Sequence, residues 1–211
     1  MASSITWPEL KYPLVAILRG IQPSEVEATA DVLVEAGFEA IEVPLNSPDP
    51  LVSIERLARR YDDRILIGAG TVLSTTDCAA VADSGGRLMV SPNVDPGVLA
   101  MAVGRGMVTL PGVMTPTEAL LAIRCGASAL KFFPASVLGP SGISAIRAIL
   151  PKGTQIAAVG GVSNENFADY VAADIRIFGL GTSLYKPGRT TAETAAAAAA
   201  AIKAYDKAVG R

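Results

Sequence analysis

Short apolar runs rich in Val, Ile, Leu and Ala recur roughly every 20 to 30 residues along this chain, and that rhythm restricts the folds open to it. They lie at residues 14–18, 40–43, 65–68, 88–91, 107–110, 127–133, 156–159 and 175–179. Each is too short for a typical helix, and several are bounded by Gly or Pro. Their nearly unbroken apolar character suits strands buried on both faces, as in a parallel sheet. Between them lie segments with helical spacing and start chemistry: Pro23-Ser24 before residues 25–36, then Ser47-Pro48, Ser74, Asp95-Pro96, Thr115-Pro116, Asn164 and Thr190. Gly37, Gly106 and Gly126 are placed to end helices in a left-handed conformation. The alanine run 195–201 reads as a closing helix, Ala being the strongest helix former. Eight βα units in 211 residues predict an α/β fold, a single-domain (β/α)8 TIM barrel over residues 1–211. An open doubly wound sheet is the competing architecture, and no GxGxxG follows the first strand to support it.

Composition narrows the chemistry. Half of the residues are hydrophobic, and a formal charge of −2 supplies no basic field for nucleic acid or an anionic membrane. An anionic ligand must therefore be held by a local site. The polar start Met1–Trp7 lacks signal-peptide architecture, no apolar run reaches membrane-spanning length, and a cytoplasmic location is expected. Cys78 and Cys125 fall in expected helices without CxxC spacing and read as structural thiols. With no histidine anywhere, imidazole acid–base chemistry is excluded and a zinc centre is disfavoured, leaving an all-oxygen Mg²⁺ site open. Proton transfer then falls to carboxylate, lysine, tyrosine or water.

Against that background Lys131 is anomalous. It lies within Ala129-Leu130-Lys131-Phe132-Phe133-Pro134, a strongly apolar strand. Strand alternation sends it the same way as Ala129 and Phe133, into the barrel, with Leu130 and Phe132 facing the helices. Burial lowers a lysine pKa and so raises the neutral fraction able to attack a carbonyl carbon. Taken alone, a salt bridge to Glu42 competes evenly with that role. Glu42 faces inward by the same alternation, in Ala40-Ile41-Glu42-Val43-Pro44; Arg19 and Thr71 follow the first and third strands. Four polar residues at strand C-termini converge on the face where barrel active sites lie. Arg19 offers bidentate anion binding, or a pairing with Glu42. Thr71 offers a hydroxyl to a substrate carboxylate, or caps a helix. Glycine turns follow the last two strands, in Val159-Gly160-Gly161-Val162 and Gly179-Leu180-Gly181-Thr182-Ser183. Loops there form the usual phosphate site of such barrels, with ordinary tight turns as the competing reading.

These residues together resemble a known family, the bacterial 2-keto-3-deoxy-6-phosphogluconate and 2-keto-3-deoxy-6-phosphogalactonate aldolases. The resemblance runs through AILRG, IEVPLNSP, IGAGTVL, SPN, LKFFPAS, AVGGV and GLGTSLY, over essentially the whole chain. It implies a class I aldolase on a (β/α)8 barrel, with Lys131 forming the Schiff base and Glu42 as general acid/base. It places Arg19, Thr71, Pro92, Phe133, Val159, Gly160, Gly161, Gly181, Thr182, Ser183 and Asn46 among substrate-binding positions. It further implies no cofactor or metal, a phosphorylated 2-keto-3-deoxy sugar acid as the partner, and a homotrimer. Within the family, the gluconate branch usually carries Arg where this chain has Asn46 and Thr where it has Val159, so the galactonate branch fits better. The gluconate/4-hydroxy-2-oxoglutarate activity is the alternative, and a phosphate-binding barrel isomerase or epimerase, or a silent sugar-phosphate sensor, the alternatives of other classes.

Overall fold

The apolar runs form parallel strands, each followed by a helix. In the computed structural model, which describes residues 5–211, they are β1 (Leu14–Ile17), β2 (Ala40–Pro44), β3 (Leu66–Gly70), β4 (Leu88–Val90), β5 (Val108–Leu110), β6 (Gly112–Val113), β7 (Leu130–Phe132), β8 (Ile156–Val159) and β9 (Ile177–Leu180). The start of the chain at residues 1–4, and part of the reading that it lacks an export signal, lie outside the described residues.

Strand order is β5-β4-β3-β2-β1-β9-β8-β7-β6, parallel throughout. β5 is the strand expected at residues 107–110, and β6 continues it beyond the expected end, parted from it by Pro111, which has no N–H to give a ladder. Its carbonyl still accepts from the Lys131 N–H at 2.9 Å, flanked by Ala129 N–H to the Thr109 carbonyl and Phe133 N–H to the Val113 carbonyl. The fifth and sixth units are thereby joined, and a TIM-like barrel results. β7 begins later than the expected residue 127. There Thr109 and Ser128 exchange backbone N–H to side-chain oxygen bonds, both 2.9 Å, in place of ladder bonds.

The helices are α1 (Val26–Ala36), α2 (Pro50–Tyr61), α3 (Thr75–Asp83), α4 (Pro96–Gly104), α5 (Pro116–Arg124), α6 (Ala135–Arg147), α7 (Phe167–Ala172) and α8 (Thr191–Val209). Ser74 and Asp95 cap α3 and α4 through their side chains, and Thr115 and Thr190 form capping boxes with Glu118 and Glu193. Three expected starts move. α1 begins after Glu25, α2 after Asp49 and α7 after Asn166, none with a side-chain cap. Ser47 is occupied elsewhere: its Oγ accepts the Gly20 N–H at 2.9 Å, tying the β1 and β2 loops together.

Side-chain alternation divides the core in two. Leu14, Ala16, Ile41, Val43, Leu130 and Phe132 join the large cluster between sheet and helices. Val15, Ala40, Leu66, Leu88, Ala129 and Ala157 fill the barrel interior near the strand starts, with Trp7 packed among them. The interior beyond this plug, toward the strand C-termini, holds the polar residues.

Candidate active site

A cavity of about 610 Å³ opens at that end, lined by Ile17, Arg19, Glu42, Thr71, Pro92, Lys131, Phe133, Val159, Gly160, Gly161, Val162, Ser163, Gly179, Gly181, Thr182 and Ser183. Of the expected site residues only Asn46 is absent from the wall, and it touches one that is present: Arg19 Nη1 donates to Asn46 Oδ1 at 2.5 Å. Arg19 thus takes Asn46, not Glu42, as its hydrogen-bond partner.

Lys131 and Glu42 are 7% and 3% exposed, so both side chains are withdrawn from water. They do not form a contact ion pair; among the described residues every salt bridge lies elsewhere. Lys131 Nζ sits 5.0 Å from the centre of the Phe133 ring. Burial lowers the lysine pKa from 10.5 to about 8; the negative charge of Glu42 resists that shift, and Arg19 adds to it. Burial raises Glu42 from 4.5 to about 7, opposed by the charges of Lys131 and Arg19. The two groups titrate as a pair, and both movements have desolvation as their leading cause. Near neutral pH the site therefore has access to a neutral amine and to both protonation states of a carboxyl.

Glu42 Oε2 is buried with no hydrogen-bond partner among the described residues, a costly state retained where a substrate or water would meet it. Its position depends on Gly70, since a Cβ there would overlap the carboxylate oxygens. Gly179 has a similar role: a Cβ would lie 2.7 Å from Val159 Cγ2 and 3.3 Å from Ile17 Cδ1. Thr71 adopts φ 59°, a left-handed conformation that a β-branched residue rarely takes and that clusters at functional sites. Its helix-capping alternative fails, because Ser74 caps α3.

Across the mouth, Gly160 and Gly161 have φ 87° and 78°. A Cβ on Gly161 would collide with Ser136, and one on Gly160 would press the Phe133 ring at 3.2 Å. Among the described residues, the backbone N–H groups of Gly161, Val162, Thr182 and Ser183 find no acceptor, while Leu184 and Tyr185 turn back onto the Gly181 carbonyl. Free N–H groups on two adjoining loops suit an anion such as phosphate. Sequence reasoning missed Ile17, Val162, Ser163 and Gly179. Ile17 was reachable by alternation from Val15; Gly179 carries no side chain to announce itself.

Residues 9–200 match the family model described as "KDPG and KHG aldolase". The chain is 59% identical to "Probable 2-dehydro-3-deoxy-6-phosphogalactonate aldolase" of Rhizobium meliloti (strain 1021), over 98% of this chain and 97% of the relative. It is 47% identical to "2-dehydro-3-deoxy-6-phosphogalactonate aldolase" of Escherichia coli (strain K12), over 95% and 98%. The solved structure "Native KDPGal structure" superposes with a TM-score of 0.95 at 46% identity, covering 98% of this chain and 100% of that one.

Proposed function

The chain belongs to the KDPG and KHG aldolase family, and on that premise we propose that it cleaves 2-dehydro-3-deoxy-6-phosphogalactonate to pyruvate and glyceraldehyde 3-phosphate. The observation that carries the mechanism is the pairing of buried Lys131 with buried Glu42 in one cavity without an ion-pair contact. Residues 1–211 act in this reading as one catalytic domain.

Neutral Lys131 adds to the C2 ketone, and loss of water from the carbinolamine gives a protonated imine. The Glu42 carboxylate accepts the C4 hydroxyl proton. The C3–C4 bond breaks, its electron pair passing to the iminium to form an enamine, and glyceraldehyde 3-phosphate leaves. Protonated Glu42 returns the proton to C3, water hydrolyses the imine, and pyruvate departs with Lys131 restored. A carboxyl raised toward neutrality serves both directions of transfer. No step calls for a metal or organic cofactor. Arg19 and Thr71 bind anionic and hydroxyl groups of the substrate, and Gly161, Val162, Thr182 and Ser183 receive the phosphate.

Val159 supports the galactonate substrate. Its methyl groups offer the C4 hydroxyl no hydrogen bond, and a site without such a partner imposes a different preference between the C4 epimers from one that has it. Steady-state turnover of the two epimers tests the assignment. The galactonate form is expected to have the higher kcat/KM, and Val159→Thr to shift the ratio toward the gluconate form by about tenfold. A strong wild-type preference for the gluconate epimer would overturn the substrate assignment and leave the aldolase chemistry standing.

A further inference from the structure

Asn166 stands at the cap position of α7, yet its side chain makes no hydrogen bond to that helix. It is committed to the glycine loop instead. Nδ2 donates to the Gly161 carbonyl at 2.8 Å, and Oδ1 accepts the Ser163 N–H at 3.0 Å. Its backbone N–H also donates to the Ser163 carbonyl at 3.2 Å. The partners determine the amide's orientation, because one is an acceptor and the other a donor.

Gly160 and Gly161 are consecutive residues with positive φ, and glycine loses more conformational freedom on ordering than any other residue. Along Gly161–Ser163 the N–H groups of Gly161 and Val162 have no acceptor among the described residues. A loop of this kind would wander unless something held both of its ends. Asn166 does so with one planar group that donates to the first residue and accepts from the third. Asp would keep the acceptor but lose the donor, and would set a negative charge beside the anion site.

We infer that Asn166 is a positioning residue for phosphate recognition: it braces Gly161–Ser163 so that the N–H groups between them are aimed before the ligand arrives. The inference rests on reading this loop as the phosphate subsite. Preorganisation of this sort appears in affinity, not in the bond-breaking step, because Asn166 is not among the residues that line the cavity around Lys131.

The test compares wild type with Asn166→Ala and Asn166→Asp in three measurements: steady-state kinetics on the phosphorylated substrate, calorimetric binding of inorganic phosphate, and borohydride trapping of pyruvate. Asn166→Ala is expected to raise KM about tenfold and weaken phosphate binding by a similar factor, with kcat within about twofold. Asn166→Asp should lose at least as much through its added charge. Pyruvate trapping should continue at the wild-type rate, since pyruvate carries no phosphate. An unchanged KM and phosphate affinity beside a lowered Tm would reduce Asn166 to a structural role and overturn the inference. So would kcat and pyruvate trapping falling together with affinity, or wild-type protein that fails to bind phosphate. If the wild type binds phosphate but is not trapped by pyruvate, the aldolase reading fails, and the brace is judged on phosphate affinity alone.

Discussion

Lys131 and Glu42 are each placed where a charge is expensive, and the same burial that makes them expensive moves their pKa values toward neutrality. Removing the amine in Lys131→Ala should abolish turnover, by about 10⁴-fold or more. Glu42→Gln, which keeps the shape but cannot shuttle a proton, should cost kcat about 10² to 10⁴-fold in the same assay. The coupling carries a sign. The Glu42 charge holds the lysine pKa up against burial, so Glu42→Gln should move the pH midpoint of pyruvate trapping below about 8. A midpoint that rises instead would show that the two groups do not face each other electrostatically. Stability follows the same logic. A carboxyl raised in the folded state contributes stability that is full below its unfolded value and is lost as pH rises through the folded one. Urea unfolding of wild type should therefore lose ground to Glu42→Gln between pH 4.5 and about 7. At about 1.4 kcal/mol per pH unit, that loss is bounded at about 3.5 kcal/mol.

Elements whose periodicity and caps agreed were legible before any coordinates. α3, α4, α5 and α8 start at the expected residues because Ser74, Asp95, Thr115 and Thr190 each accept a backbone N–H from the first turn. α2 starts beyond Ser47 because that side chain has another use: it holds the Gly20 N–H, a contact that depends on tertiary structure. α1 and α7 start beyond Ser24 and Asn164, after Glu25 and Asn166, and neither start has a side-chain cap. Inward-facing site residues were readable by strand alternation, since Lys131 and Glu42 break an apolar pattern. Gly70 and Gly179 were not, because their contribution is the space they leave. Two variants separate these cases. Thr115→Ala should lower stability by about 1 kcal/mol in chemical denaturation with kcat unchanged. Gly70→Ala should retain the fold by circular dichroism yet lose activity at least about 100-fold, as its Cβ displaces the Glu42 carboxylate.

At the scale of the molecule, eight βα units, one of their strands split at Pro111, carry two charged groups from distant parts of the chain into one mouth. That architecture was written in the spacing of apolar runs; closure through the Pro111 carbonyl was not, because it depends on which strands meet. We propose the homotrimer that the sequence resemblance implies, and light scattering should then return three times the chain mass. A Schiff base on Lys131 is trapped by incubating the protein with pyruvate and borohydride and located by mapping the adduct by mass spectrometry. A single reduced pyruvyl adduct on Lys131 is expected. No adduct, as an isomerase or epimerase sharing the phosphate loops would give, or an adduct on Lys11, Lys152 or Lys186 in place of Lys131, would contradict it.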